Sequence, residues 1–139
     1  MIILDTTVIL ETQRIQPDPN VMDFLDGLDP TTTYTTAITV TEIMRGIGLL
    51  PPGNHRKDLE KTASTLFQEA FAGRILPFDS EAARLFEVDV VRNEHPGLAV
   101  SFADRVVAAI AMSNNGATIA TRDVPRFEAL GALIVNPWK

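Results

Sequence analysis

A chain of 139 residues, 45% hydrophobic and 22% charged, is one domain's worth of sequence with enough apolar material for a proper core, which excludes a disordered or fibrous protein. The absence of cysteine excludes a disulfide framework, a thiolate zinc site and a cysteine nucleophile together. Twelve Lys and Arg against 18 Asp and Glu leave a net charge of −6, which speaks against gripping nucleic acid mainly through counterion release but not against acids that gather divalent cations.

In chain order, Ile2–Leu4 reads as a short buried strand that runs into Asp5, Thr6 and Thr7. No Lys or Arg stands near Asp5 in sequence, and a buried unpaired carboxylate is costly, so Asp5 needs solvent, a cap, a metal or a distant partner. Val21, Phe24, Leu25 and Leu28 repeat at i, i+3, i+4, i+7 and predict a helix over 19–28. Residues 32–37 form a second strand that enters a helix with Glu42 on its first turn. "GIGLL" at 46–50 is the end of that helix rather than a phosphate cradle, and "PPGN" at 51–54 is a turn.

A longer stripe, Leu59, Ala63, Leu66, Phe67, Ala70 and Phe71, predicts a helix over 55–73, stopped by Gly73. A third strand follows at 74–78 and a turn at "HPG", 95–97. Residues 101–112, "SFADRVVAAIAM", become apolar all round after Arg105, as suits a helix packed between other elements. "NNG" at 114–116 turns into a fourth strand at 117–121, Asp123 lies two residues beyond it, and a fifth strand occupies 133–136. Strands alternating with helices imply a three-layer α/β/α domain over 1–139, with a central, mostly parallel sheet of about five strands. No apolar run reaches the ~18 residues of a membrane span, and no basic region precedes the first apolar stretch, so a soluble, cytoplasmic protein is expected.

Sheets of this kind bind ligands at the carboxyl ends of their strands, and four acids sort there: Asp5, Glu42, Asp104 and Asp123. Each has an ordinary reading beside a functional one. Thr39 to Glu42 and Ser101 to Asp104 have the spacing of capping boxes, and Asp123 suits the positive end of a helix dipole. Asp5 has the weakest ordinary reading. Taken together, the four would repel and take up protons unless a hard cation such as Mg²⁺ or Mn²⁺ turned them into ligands. That chemistry suits hydrolysis of a phosphodiester. His55 and His95 lack a partner at metal spacing and read as surface residues, and there is no P-loop, GxGxxG or G-x-S-x-G.

"IILDTTVI", "AITVTEIMRGI", "SFADRVVAAIA" and "ATIATRDVPRFEALG" followed by "IVNPW" resemble, in order and spacing, the PIN domain in its VapC/FitB branch of toxin–antitoxin ribonucleases. The resemblance implies a metal-dependent endoribonuclease that is usually a homodimer, is restrained by a small VapB-like antitoxin and acts on RNA. It implies Asp5 and Asp104 as principal Mg²⁺ or Mn²⁺ ligands, Glu42 completing the pocket, and Asp123 as a fourth acid. Thr6 and Thr121 would be supporting hydroxyls. Thr7 stands where the family often has Asn, Asp123 where this branch often has Asn, and Arg126 where it often has Asp.

Arg45, Arg105 and Arg122 could meet RNA phosphates or pair with neighbouring acids. An apolar groove would seat the antitoxin, and the helices 19–28 and 55–73, with Met22, Phe67 and Phe71, are its candidate wall unless they simply cover the sheet. Two other readings compete. A non-catalytic PIN-like binding module is disfavoured by four intact acids. A haloacid-dehalogenase-type phosphatase would want Asp at position 7, where Thr7 stands, and a Lys in its later motif that the chain lacks.

Overall fold

The structure is a computed structural model that describes residues 1–87, 97 and 99–139. In chain order the elements are β1 (Ile2–Leu4), α1 (Thr6–Thr12), α2 (Pro19–Asp26), a 3-10 turn (Pro30–Thr32), β2 (Thr33–Thr36), α3 (Ala37–Gly48) and α4 (Asn54–Thr65). The last of these widens into a π turn over Leu66–Ala70. Then come β3 (Ile75–Leu76), α5 (Ser80–Leu85), α6 (Phe102–Ser113), β4 (Thr118–Ala120), α7 (Val124–Ala129) and β5 (Ile134–Val135). The strands lie side by side as β3-β2-β1-β4-β5, and every described pair is parallel. The expected α/β/α architecture is borne out.

Alternation along the strands sorts the two faces. Ile3 and Ile119 point into one core cluster with Val107, Ala108, Phe127 and Leu130 of α6 and α7. Their neighbours Leu4 and Ala120 point the other way, onto Val8, Val21, Ile43, Ala63 and Phe67 of the helices on the opposite face. Each fully buried large side chain of this set contributes roughly 1.5–3 kcal/mol. The small residues of α6 let it lie close: Val106 to Ala111 are all buried, as their apolar run predicted. β1 is central, with β2 on one side and β4 on the other, so chain direction across the sheet reverses beside it. The crevice at its carboxyl end is where such folds place a site.

Several expectations are corrected. The strands at 32–37, 74–78, 117–121 and 133–136 are each shorter than their apolar patterns. Thr36, not Thr39, caps α3: its hydroxyl accepts from the Thr39 amide at 3.1 Å, because pairing to β1 and β3 ends the strand there. Glu42 therefore lies on the second turn of α3, and the box expected from Thr39 is absent. Phe67 and Phe71 are buried in the core beneath α4, so they cover the sheet and are not a wall for a partner; Met22 is only half-buried. His55 is exposed, as expected, while His95 and most of the "HPG" turn lie outside the described residues.

Candidate active site

Only Asp5 separates β1 from α1, and its backbone serves both. Its amide donates to the Ala120 carbonyl at 3.0 Å, extending the ladder to β4, and its own carbonyl accepts from Val8 and Ile9 to open the helix. The side chain makes no helix cap. Its Oδ2 accepts instead from the Thr121 hydroxyl at 2.9 Å and from the Thr7 hydroxyl at 3.3 Å. The residue is 7% exposed, and among the described residues no Lys, Arg or His pairs with it. Burial pushes its carboxyl above the ordinary carboxylate range; the Thr121 hydroxyl and the Thr6 amide pull it back, and the negative charges of Glu42 and Asp104 add to the rise.

Glu42 approaches from α3 and is held by the Thr6 hydroxyl, which donates to its Oε2 at 2.6 Å. Asp104 is in the first turn of α6 within a complete capping box. Its amide donates to Ser101 Oγ at 3.0 Å, and the Ser101 amide donates to its Oδ2 at 3.3 Å. The ordinary reading of Asp104 is thus correct, yet its charge still reaches Asp5. Asp123 is the N-cap residue of α7 but makes no cap bond with its side chain. Its amide donates to the Thr121 hydroxyl at 3.0 Å, the same oxygen that donates to Asp5.

One participant was not foreseen. Arg126 lies 3.7 Å from Asp104 and 3.9 Å from Asp123, bridging α6 to the start of α7. The signal was the i, i+3 spacing of Asp123 and Arg126 on a helix. Of the other arginines, Arg45 is exposed on the last turn of α3 and Arg105 is half-buried beside Asp104. The Arg122 amide donates to the Thr7 hydroxyl at 3.1 Å, while its guanidinium lies 5.2 Å over the ring of Trp138.

Among the described residues no three acidic or histidine side chains stand close enough to form a ready-made metal cage. Glu42 and Asp104 are each engaged in a bond of their own, to the Thr6 hydroxyl and to the start of α6. The donor set nonetheless fits a hard dication: a buried carboxylate without a counter-cation, destabilised by two further acids, is relieved by a positive ion with oxygen preference.

The chain belongs to the PIN domain family, whose pattern matches residues 2–132 and so takes in β1 to β4 and the four candidate acids. Across its whole length the chain is 37% identical to the VapC ribonuclease Y4jK of Sinorhizobium fredii, covering 99% of that protein. It is 38% identical to toxin FitB of Neisseria gonorrhoeae, over 99% of each chain. A solved structure of FitAB bound to the IR36 DNA fragment superposes on it with a TM-score of 0.91 at 37% identity, covering all of this chain and 96% of that one.

Proposed function

We propose that this chain is a metal-dependent endoribonuclease, the toxin of a toxin–antitoxin pair, which hydrolyses RNA phosphodiester bonds. The observation that carries the reading is the buried, cation-free Asp5 facing the charges of Glu42 and Asp104. Its relatives' names, a ribonuclease and a toxin, support the same chemistry. Asp5 and Asp104 would be the main holders of Mg²⁺ or Mn²⁺, Glu42 would complete the pocket, and Asp123 would hold or orient water at its rim. A bound dication supplies polarisation of the phosphate and a more acidic water.

The chain's own residues do the positioning. Thr121 and Thr7 fix the rotamer of Asp5 through its Oδ2. Thr6 keeps Glu42 turned toward the crevice. Arg126 stands beside Asp104 and Asp123 as a half-exposed counter-charge, within reach of the two carboxylates that would hold or border the cation. Arg45 and Arg105, one turn from Glu42 and next to Asp104, would meet backbone phosphates of the RNA.

The protein acts as a single domain over 1–139 in the cytoplasm, as a homodimer restrained by a VapB-like antitoxin. No helix among the described residues is long and apolar enough to cross a membrane. An apolar cleft of about 310 Å³ between α1, α3 and α4, walled by Ile9, Leu10, Ile43, Ile47, Leu59 and Leu66, would seat an antitoxin segment. It replaces the wall expected from Phe67 and Phe71.

The test is cleavage of a mixed RNA pool in Mg²⁺ or Mn²⁺, beside an EDTA control and an Asp104→Asn variant checked by circular dichroism. Cleavage is expected to vanish with EDTA and to fall at least about a hundredfold in the folded variant. Cleavage that survives either control sinks the assignment. Metal binding without cleavage of any RNA would favour the non-catalytic binding module instead.

A further inference from the structure

Trp138 is the single tryptophan of the chain; it packs partly buried against the core cluster of Leu4, Val8 and Val21 and lies against Arg122, just beyond β4. Its carbonyl accepts from the Asn20 side chain at 3.2 Å and its amide donates to Asn136 Oδ1 at 3.0 Å, so the segment is tied to α2 and to itself. The ring remains partly open. With Arg122, Val124, Pro125, Asn136 and Lys139 it borders an open hollow of about 560 Å³. Arg122 caps one face of the indole, its guanidinium carbon 5.2 Å from the ring centroid.

Two features of this hollow point to a ligand. It joins two cations, Arg122 and Lys139, and a flat aromatic face in a chain whose net charge is −6. It is also rigidly coupled to the crevice: the Arg122 amide donates to Thr7 Oγ1, and the same hydroxyl donates to Asp5. A π surface, an Arg plane and a neighbouring Lys are what a single-stranded nucleic acid uses, the base stacking while its phosphate meets the cations.

We infer that the Arg122–Trp138 shelf binds an unpaired RNA base flanking the phosphate presented to the acidic crevice. This rests on the ribonuclease reading and extends it, since it gives Arg122 a stacking role rather than a purely ionic one. Stacking tolerates any base, so the shelf supplies grip and register, and favours unpaired over duplex RNA.

Trp138 is its own reporter. In Asp104→Asn protein with EDTA, titration of a short mixed-sequence single-stranded RNA should quench its emission saturably, and an Arg122→Gln substitution should weaken that binding roughly tenfold. In cleaving protein, Trp138→Ala should raise KM by about the same factor with little change in kcat, and Trp138→Phe should recover most of the loss. Unchanged emission while the RNA binds by a filter assay would overturn the shelf and leave the ribonuclease intact. An equal affinity in Arg122→Gln, or quenching by an antitoxin peptide and not by RNA, would overturn it too. Quenching without cleavage of any RNA would sustain the shelf and defeat the nuclease.

Discussion

Replacing Asp5 by Asn should make the metal-free protein more stable, although it removes a carboxylate from the centre of the site. The two hydroxyl bonds to Oδ2 can persist to the Asn oxygen, losing only charge assistance, about 1 kcal/mol in all because the Thr7 bond at 3.3 Å is already long. Against this, burial of a carboxylate with no cation beside it costs several kcal/mol, and repulsion from Glu42 and Asp104 adds to it. The balance is a gain of roughly 1–3 kcal/mol, or on the order of 5–10 °C in Tm for a domain of this size. The pH dependence carries the same sign. Because the folded pKa of Asp5 is raised, the contribution is fully present below the unfolded pKa and is lost as pH rises through the folded one. Thermal melts from acid to neutral pH in EDTA should therefore show wild type losing ground to Asp5→Asn as pH rises. Saturating Mg²⁺ or Mn²⁺ should reverse the order, since ligand at a thousand times its Kd adds about 4.1 kcal/mol to wild type and nothing to the variant. A metal-free variant that melts below wild type would refute the reasoning, because the Asp5 charge would then be compensated already.

Thr6→Val removes the hydroxyl that holds Glu42 at 2.6 Å; kcat for RNA should fall roughly three- to tenfold with KM unchanged, and Thr6→Ser should restore it. Arg126→Gln deletes a half-exposed cation that competes for Asp104 and Asp123, so calorimetric titration should show metal binding tightened up to about fivefold, within the ~1 kcal/mol of such exposed pairs.

Much of this arrangement was legible beforehand because it rests on local pattern. The apolar triplet before Asp5 gave β1 residue for residue, and the Ala-rich run after Arg105 marked α6 as a buried helix. The start of α3 was misread because Thr33, Thr35, Thr36, Thr39 and Thr41 all offer hydroxyls, and only the pairing of β2 with strands far away in sequence selects Thr36 as the cap. The burial of Phe67 and Phe71 was equally nonlocal, since the stripe of α4 says which face is apolar and not what lies over it. At the site, the candidate acids were readable from strand-end positions and the resemblance offered Thr6 and Thr121 as supporting hydroxyls, but which acid each hydroxyl holds was not. The Thr121–Asp5 bond spans 116 residues and the Thr6–Glu42 bond 36. The i, i+3 spacing to Asp123 is the one local mark of Arg126; its reach to Asp104, and that of Arg122 to Trp138, are nonlocal.

The central place of β1 in the sheet bears on how the protein is made. Ribosomal synthesis delivers Asp5, Thr6 and Glu42 first, but the strand that closes the other flank of β1 begins only at Thr118. Until then Asp5 lacks both the Ala120 carbonyl that receives its amide and the Thr121 hydroxyl that fixes its carboxylate. Asp104 likewise arrives well after Asp5, Thr6 and Glu42. A chain built in this order cannot complete its acidic crevice until β4 and Thr121 have been made, so the site is among the last parts of the fold to form.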